Sequence, residues 1–153
     1  MSKNIVSTTR RKRKANRSKK VGLPAGSLVY FGNKEKPLNI EVIAYNEHSC
    51  QVKKVFSAEE ALRFITDNHI TWVNVNGLNN IEEVKKLGAY THLNNLLLED
   101  ILDTEHRPKV EILDDHILVI IKMLYYGKDE QLISEHLALL LGKNYLITFQ
   151  ESE

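Results

Sequence analysis

Four carboxylates fall within the seven residues from Glu99 to Glu105, and no basic side chain lies among them. On a helix, Asp103 would lie four positions from Glu99 and three from Asp100, so each pair would repel by about 0.2–0.5 kcal/mol. A divalent cation would relieve this repulsion. Carboxylate oxygens without histidine or thiolate are the ligands that Mg²⁺ prefers, usually with several waters retained, so binding through them alone should be weak. The alternative is an acidic helix end exposed to water, and spacing does not decide between the two.

Other residue types that commonly carry chemistry form no recognisable site in this sequence. The six histidines never fall at the i, i+4 spacing that would direct two imidazoles at one Zn²⁺. The segment 142–144 resembles the end of a phosphate-binding loop but lacks its upstream glycine and hydroxyl, so it predicts a hairpin turn. Cys50 has no basic or helix-terminal neighbour in the sequence that would favour its thiolate. We therefore expect no catalytic residue and no enzymatic activity, and we assign no role to His116 and His136.

Composition indicates one globular domain in a reducing compartment. With 153 residues, of which 42% are hydrophobic, the chain can fill a single core. One cysteine excludes an intramolecular disulfide and fits the cytosol. The longest apolar runs, 117–121 and 137–141, are far shorter than the roughly 18–20 residues that cross a bilayer. The basic start of the chain lacks the apolar stretch of a secretory signal.

Charge divides the chain into a basic segment and an acidic domain. Nine of the 21 Lys and Arg residues lie in residues 1–20, which leaves 12 basic against 20 acidic residues and a formal charge of −8 in residues 21–153. We expect residues 1–20 to be a disordered tail, because they contain almost no large apolar groups. Such a tail could bind nucleic acid or anionic lipid, and this is the alternative function. The acidic domain would instead concentrate cations around itself.

Stretches of β-branched and aromatic residues between turn signals predict the strands. They span 27–31, 39–45, 48–56, 70–75, 109–113, 116–126, 132–141 and 145–150. The second and third of these should pair in an antiparallel hairpin, because only the turn-like pair Asn46-Glu47 lies between them. The last four should form a meander.

Three helices are predicted between these strands. The first begins at Ser57, with Glu60 at the spacing of a capping box. The second is capped by Asn80 and ended by Gly88. The third runs from about 94 to 103 and carries the acidic residues. Because a sheet this apolar needs cover on both faces, the sequence predicts an α/β fold with a mixed β-sheet covered by helices, an α/β/α sandwich that closes in a β-meander.

Several sequence segments occur in an order that is found in one known family. They are GLPAGSLVY (22–30), TWVNVNG (71–77), LEDIL (98–102), RPKVE (107–111), IKMLY (121–125), EHLAL (135–139) and YLITFQE (145–151). Together they resemble the N-terminal cytoplasmic domain of the CorA family of magnesium and cobalt transport channels. Two features depart from the family pattern. His106 stands where a glutamine is expected, and Asp103 and Glu105 make the segment more acidic than the pattern requires.

The resemblance implies that the chain is part of a homopentameric channel of the inner membrane. The domain itself would lie at the cytoplasmic face of that membrane. In this family the α/β domain is followed by a long stalk helix and two membrane helices with a Gly-Met-Asn signature. The sequence would then stop before the stalk, and the domain would reach the membrane through C-terminal helices that it does not contain. No specific nucleic-acid partner is implied. A zinc-transporting branch shares the fold, but oxygen-rich ligands favour magnesium or cobalt.

The resemblance also implies a role for two acidic residues. In the family, the acidic pair after the leucine binds regulatory magnesium between neighbouring subunits, and the matching residues are Glu99 and Asp100. Bound magnesium would screen facing acids, and its loss would leave like charges that push subunits apart and favour the open pore. The domain is therefore expected to be the regulatory, metal-sensing part of the channel. Asp100→Lys in the full-length protein is expected to mimic the bound cation.

Overall fold

The computed structural model describes residues 22–32 and 36–151. The predicted disordered tail, residues 1–20, lies outside the described residues, and so does the alternative function that rests on it. Within the described ranges, no helix is both long enough and apolar enough to cross a membrane.

Seven strands form one sheet. They are β1 (Asn39–Tyr45), β2 (Cys50–Val55), β3 (Ile70–Asn76), β4 (Lys109–Ile112), β5 (Ile117–Tyr126), β6 (Leu132–Leu141) and β7 (Tyr145–Gln150). The strand order is β2-β1-β3-β7-β6-β5-β4. The pairing of β3 with β7 is parallel, and the others are antiparallel. The predicted mixed sheet, its hairpin and its closing meander are therefore confirmed.

The described helices are α1 (Ala58–Leu62), α2 (Ile81–Tyr90) and α3 (Asn95–Leu102). Helix α1 begins as predicted, because the Ser57 side chain accepts a hydrogen bond from the Glu60 amide at 3.2 Å. The Glu60 carboxylate reaches back one residue further than in a standard capping box and accepts from the Phe56 amide at 2.9 Å. Helix α3 begins where the Asn94 side chain accepts from the amide of Leu97.

Two predictions about local structure are wrong. Residues 27–31 are not a strand, because this segment lies along α3 instead of the sheet, and the Phe31 amide donates to the Leu102 carbonyl at 3.4 Å. Gly88 does not end α2, which continues to Tyr90. A Cβ at Gly88 would lie 2.6 Å from the side chain of Leu98, so this glycine permits close packing of α2 against α3.

One face of the sheet packs against the helices. A row of paired residues crosses this face, and all but the first are fully buried: Lys109, Ile120, Ala138, Phe149, Val75 and Ile40. The buried side chains of all three described helices join the same core cluster. Lys109 therefore lies at the edge of the sheet on the face that α3 covers. From there its ammonium can reach Asp100 on α3.

The opposite face is also apolar but is not covered by the described helices. Its corresponding row contains Ile112, Ile117, Leu141, Leu146, Trp72, Ile43 and Val52. Ile112 is 80% exposed and Val52 57% exposed. The second helical layer that the sequence predicts does not lie among the described residues.

Candidate metal-binding site

Helix α3 places the two predicted metal ligands next to each other in its last turn. Leu97, Leu98, Ile101 and Leu102 are buried, whereas Glu99 and Asp100 are partly exposed. The helix ends at Asp103, whose amide still donates to the Glu99 carbonyl at 2.9 Å. The carboxylates of Glu99 and Asp100 thus emerge at the border between the helix and solvent, where a cation could reach them.

Glu99 already holds a neighbouring backbone segment. Its Oε2 accepts a hydrogen bond from the Gly26 amide at 2.9 Å. Gly26 has a φ of +79°, a left-handed conformation that favours glycine, and a Cβ there would lie 3.1 Å from Asn95 Cβ. The contact therefore depends on glycine at this position and fixes residues near 26 against α3.

Asp100 is held by two side chains from outside its helix, Lys109 and His106. The Lys109 ammonium lies 2.6 Å from Asp100 Oδ2, and Nε2 of His106 lies 3.1 Å from Oδ1. Lys109 also lies 3.0 Å from Glu111 Oε1. Burial alone would lower the pKa of Lys109, but hydrogen bonds to Asp100 and Glu111 outweigh burial and raise that pKa. Lys109 is therefore a charged counter-ion shared by two carboxylates.

The His106 ring lies between Asp100 and the backbone of Arg107. Its Nδ1 lies 2.7 Å from the backbone carbonyl of Arg107, which can only accept. Its Nε2 faces the Asp100 carboxylate. Both ring nitrogens of His106 therefore face oxygen atoms.

The fold brings two lysines to the acidic segment, which contains no basic residue itself. Lys109 reaches Asp100 from β4, and Lys122 on β5 donates to the backbone carbonyl of Thr104. Asp103 is 8% exposed, and its carboxylate accepts from the Glu105 amide at 3.1 Å. Lys109 therefore offsets part of the predicted repulsion at Asp100. This contact is not evident from the sequence of the segment itself.

His136 ties the end of α3 to the sheet. It is 1% exposed, and its Nε2 donates to the Ile101 carbonyl at 2.9 Å. Burial lowers the pKa of His136 from 6.5 to about 4, so the ring is neutral at physiological pH. Its Nδ1 has no hydrogen-bond partner among the described residues. His116 also has a partner, since its Nε2 lies 2.5 Å from the Tyr145 hydroxyl.

The residues of one copy fit a hydrated divalent cation only in part. Glu99 and Asp100 supply the carboxylate oxygens that Mg²⁺ prefers, and the Lys109 ammonium already occupies a cation position at Asp100. No group of three or more His, Cys, Asp or Glu side chains in ranges 22–32 and 36–151 is arranged to hold a metal ion. Further ligands would have to come from water or from another chain.

Comparison with known proteins gives one matching family. Residues 67–153 match the family model described as CorA-like Mg²⁺ transporter protein. The chain is 36% identical over 135 residues to the cobalt/magnesium transport protein CorA of Thermotoga maritima. That alignment covers 88% of this chain and 38% of the relative, so the chain spans well under half of the relative's length.

Solved structures share the fold at lower sequence identity. The soluble domain of CorA from Methanocaldococcus jannaschii matches with a TM-score of 0.53 at 17% identity, over 80% of this chain and 43% of that one. The cytoplasmic domain of ZntB from Vibrio parahaemolyticus matches with a TM-score of 0.56 at 16% identity, over 77% of this chain and 46% of that one. At these identities the two structures support the fold alone.

Proposed function

The chain belongs to the CorA family of magnesium transporters, and from that membership we propose that residues 21–153 form a regulatory, metal-sensing cytoplasmic domain. The whole protein would be a homopentameric magnesium and cobalt channel of the inner membrane, with its membrane helices outside these 153 residues. The observation that carries the proposal is the partly exposed pair Glu99 and Asp100, in which Asp100 already binds a cationic group. The domain needs no catalytic residue for this role.

Asp100 is the better placed of the two carboxylates for reversible cation binding. Glu99 accepts from a backbone amide and holds the segment around Gly26. Asp100 instead contacts the partly exposed side chains of Lys109 and His106. A cation that bridges Asp100 to an acid of a neighbouring subunit would neutralise both charges at the subunit boundary. Its loss would restore their repulsion, which is strongest where water is partly excluded.

Magnesium suits such a role because the required affinity is low. Mg²⁺ keeps most of its waters and binds through one or two carboxylates, so a site between subunits can fill and empty over a range of cellular concentrations. The predicted charges agree with this, since residues 21–153 carry a formal charge of −8 and would attract cations. Co²⁺ would bind the same oxygen ligands.

Asp100→Asn in the full-length channel tests the proposal. The change removes the charge but keeps the size of the side chain, whereas Asp100→Lys would set a second ammonium beside Lys109 and confuse the result. Because the bridging carboxylate is lost, Mg²⁺ uptake into proteoliposomes should need about tenfold more internal Mg²⁺ for half-maximal inhibition. Asp129→Asn, an identical change in an exposed turn, is the matched control. Unchanged inhibition in Asp100→Asn, relative to this control, would exclude Asp100 as a sensing residue.

A further inference from the structure

Lys109 lies between two carboxylates that belong to different elements. Its ammonium is 2.6 Å from Asp100 on α3 and 3.0 Å from Glu111 on its own strand. Lys109 and Glu111 share a face of β4 because residues two apart on a strand point to the same side. The Lys109 side chain is 23% exposed, so the ammonium is held in place but not sealed in the core.

An ammonium and a metal ion at the same oxygen of Asp100 would be two cations at close range and would repel each other. A Mg²⁺ ion bound to Oδ2 would lie about 2.1 Å from that oxygen. The Lys109 nitrogen lies 2.6 Å from the same atom. Metal binding at this oxygen is therefore favoured when Lys109 moves away.

Glu111 makes that movement less costly. When the ammonium leaves Asp100, its contact with Glu111 can remain, so a charged group is not left without a partner. The Glu111 side chain is 45% exposed and is itself free to follow the lysine. Both positions of the lysine are thus stabilised by a carboxylate.

We propose that Lys109 is an internal competitor of Mg²⁺ for Asp100, and that Glu111 receives the ammonium when the metal binds. This inference rests on the proposed function of Asp100. Lys109 would lower the affinity of Asp100 for Mg²⁺, and Glu111 would partly restore this affinity. The contact between Asp100 and Lys109 would then mark the metal-free state of the domain.

Two substitutions should shift the affinity in opposite directions. Lys109→Met removes the competitor and should lower the Mg²⁺ concentration for half-maximal binding by about three- to tenfold. Glu111→Gln removes the second negative charge beside Lys109, so the ammonium should stay more firmly at Asp100. That concentration should then rise by about two- to fivefold. Lys143→Met, in an exposed hairpin turn, makes the same charge change as Lys109→Met and should have no effect.

The measurement is the thermal stabilisation of the full-length protein by Mg²⁺, titrated as the chloride at constant ionic strength. Ligand binding at a free concentration c stabilises the native state by RT ln(1 + c/Kd), so a fit of this relation to the titration yields the Kd of each variant without any transport assay. Lys109→Gln replaces Lys109→Met if the methionine at the sheet edge prevents folding.

The double variant separates competition from a general effect of charge. If Glu111 acts through Lys109, Glu111→Gln should have no effect on Mg²⁺ binding in the Lys109→Met background. An equal effect in both backgrounds would overturn the receiving role of Glu111. Unchanged Mg²⁺ binding in Lys109→Met, together with weakened binding in Asp100→Asn, would overturn the competition but leave the proposed function standing. Unchanged binding in Asp100→Asn would remove the metal site, and the inference with it.

Discussion

A single buried histidine joins the acidic end of α3 to the sheet by a hydrogen bond. His136 donates from Nε2 to the Ile101 carbonyl, next to Asp100 in sequence. The cost of burying a charge here is what lowers the pKa of His136, and nearby Lys122 lowers it further, while Asp103 partly opposes them. Burial therefore favours the neutral ring of His136 in the folded state. The hydrogen bond of this ring to Ile101 helps to fix the position of the adjacent Asp100.

Acid should destabilise the domain through His136. The pKa of His136 is about 4 in the folded state and near 6.5 when unfolded, so the unfolded chain binds the proton first as pH falls. The contribution of neutral His136 to stability is fully present above pH 6.5 and is lost as pH falls towards 4. At pH 5 the free energy of unfolding should be lower by about 2 kcal/mol. Urea unfolding of the chain at pH 7.5 and 5.0 measures this loss. His136→Gln keeps a donor for Ile101 and should show a smaller pH difference, whereas an equal difference in both proteins would contradict the assignment.

The sequence identifies the acidic ligands of the candidate site but not their partners. Glu99 and Asp100 can be singled out because charge and helical spacing are local properties. Lys109 cannot be assigned in this way, since alternation shows that it shares a face with Glu111 but not that this face lies under α3. Which face lies under α3 follows only from the pairing of β4 with β5 and from the position of the helix. Both depend on contacts distant in sequence.

At the level of elements, α2 and α3 approach each other through a glycine. Gly88 lies inside α2, and its missing side chain leaves room for Leu98, which is 3% exposed. A glycine in a helix interior costs about 1 kcal/mol relative to alanine, so the close contact must offset that loss. The position of α3, and with it the position of Asp100, therefore depends on this contact.

Gly88→Ala should destabilise the fold although alanine favours helices. A Cβ at 2.6 Å from Leu98 Cδ1 forces the buried leucine to shift, and such overpacking costs about 1–3 kcal/mol. The free energy of unfolding, measured with urea, should fall in Gly88→Ala. In a Leu98→Ala background the same change should be neutral or stabilising, because the clash is gone. A stabilising effect of Gly88→Ala in the parent protein would show that the helices are not closely packed there.

Elements with strong local signals are predictable, and those that depend on distant contacts are not. The Ser57 cap, the turn signals and the alternation of β5 to β7 define their elements within a few residues. The composition of residues 27–31 is equally typical of a strand, but this segment lies along α3. Gly88 has the sequence signature of a helix end, and only the neighbouring Leu98 explains why α2 continues.

For the whole molecule, the two faces of the sheet have different surroundings. The helix-covered face carries the core and, at its edge, Lys109 and the candidate site. The other face exposes an apolar row that includes Ile112 and Val52 among the described residues. An apolar surface of this kind is typical of a contact with further protein. The chain spans 38% of its Thermotoga maritima relative, so the assembly must be tested on the full-length protein.

Anomalous scattering from Co²⁺ in crystals of the full-length protein is the most direct test of the metal-sensing proposal. We expect a peak at the boundary between two subunits, about 2.1 Å from the Asp100 carboxylate if the ion is bound directly or about 4 Å if it is bound through water. In the electron density of the same crystals, a directly bound ion should have displaced the Lys109 ammonium from Asp100 towards Glu111. Co²⁺ peaks elsewhere only, with Asp100 still bonded to Lys109 and His106, would contradict the account.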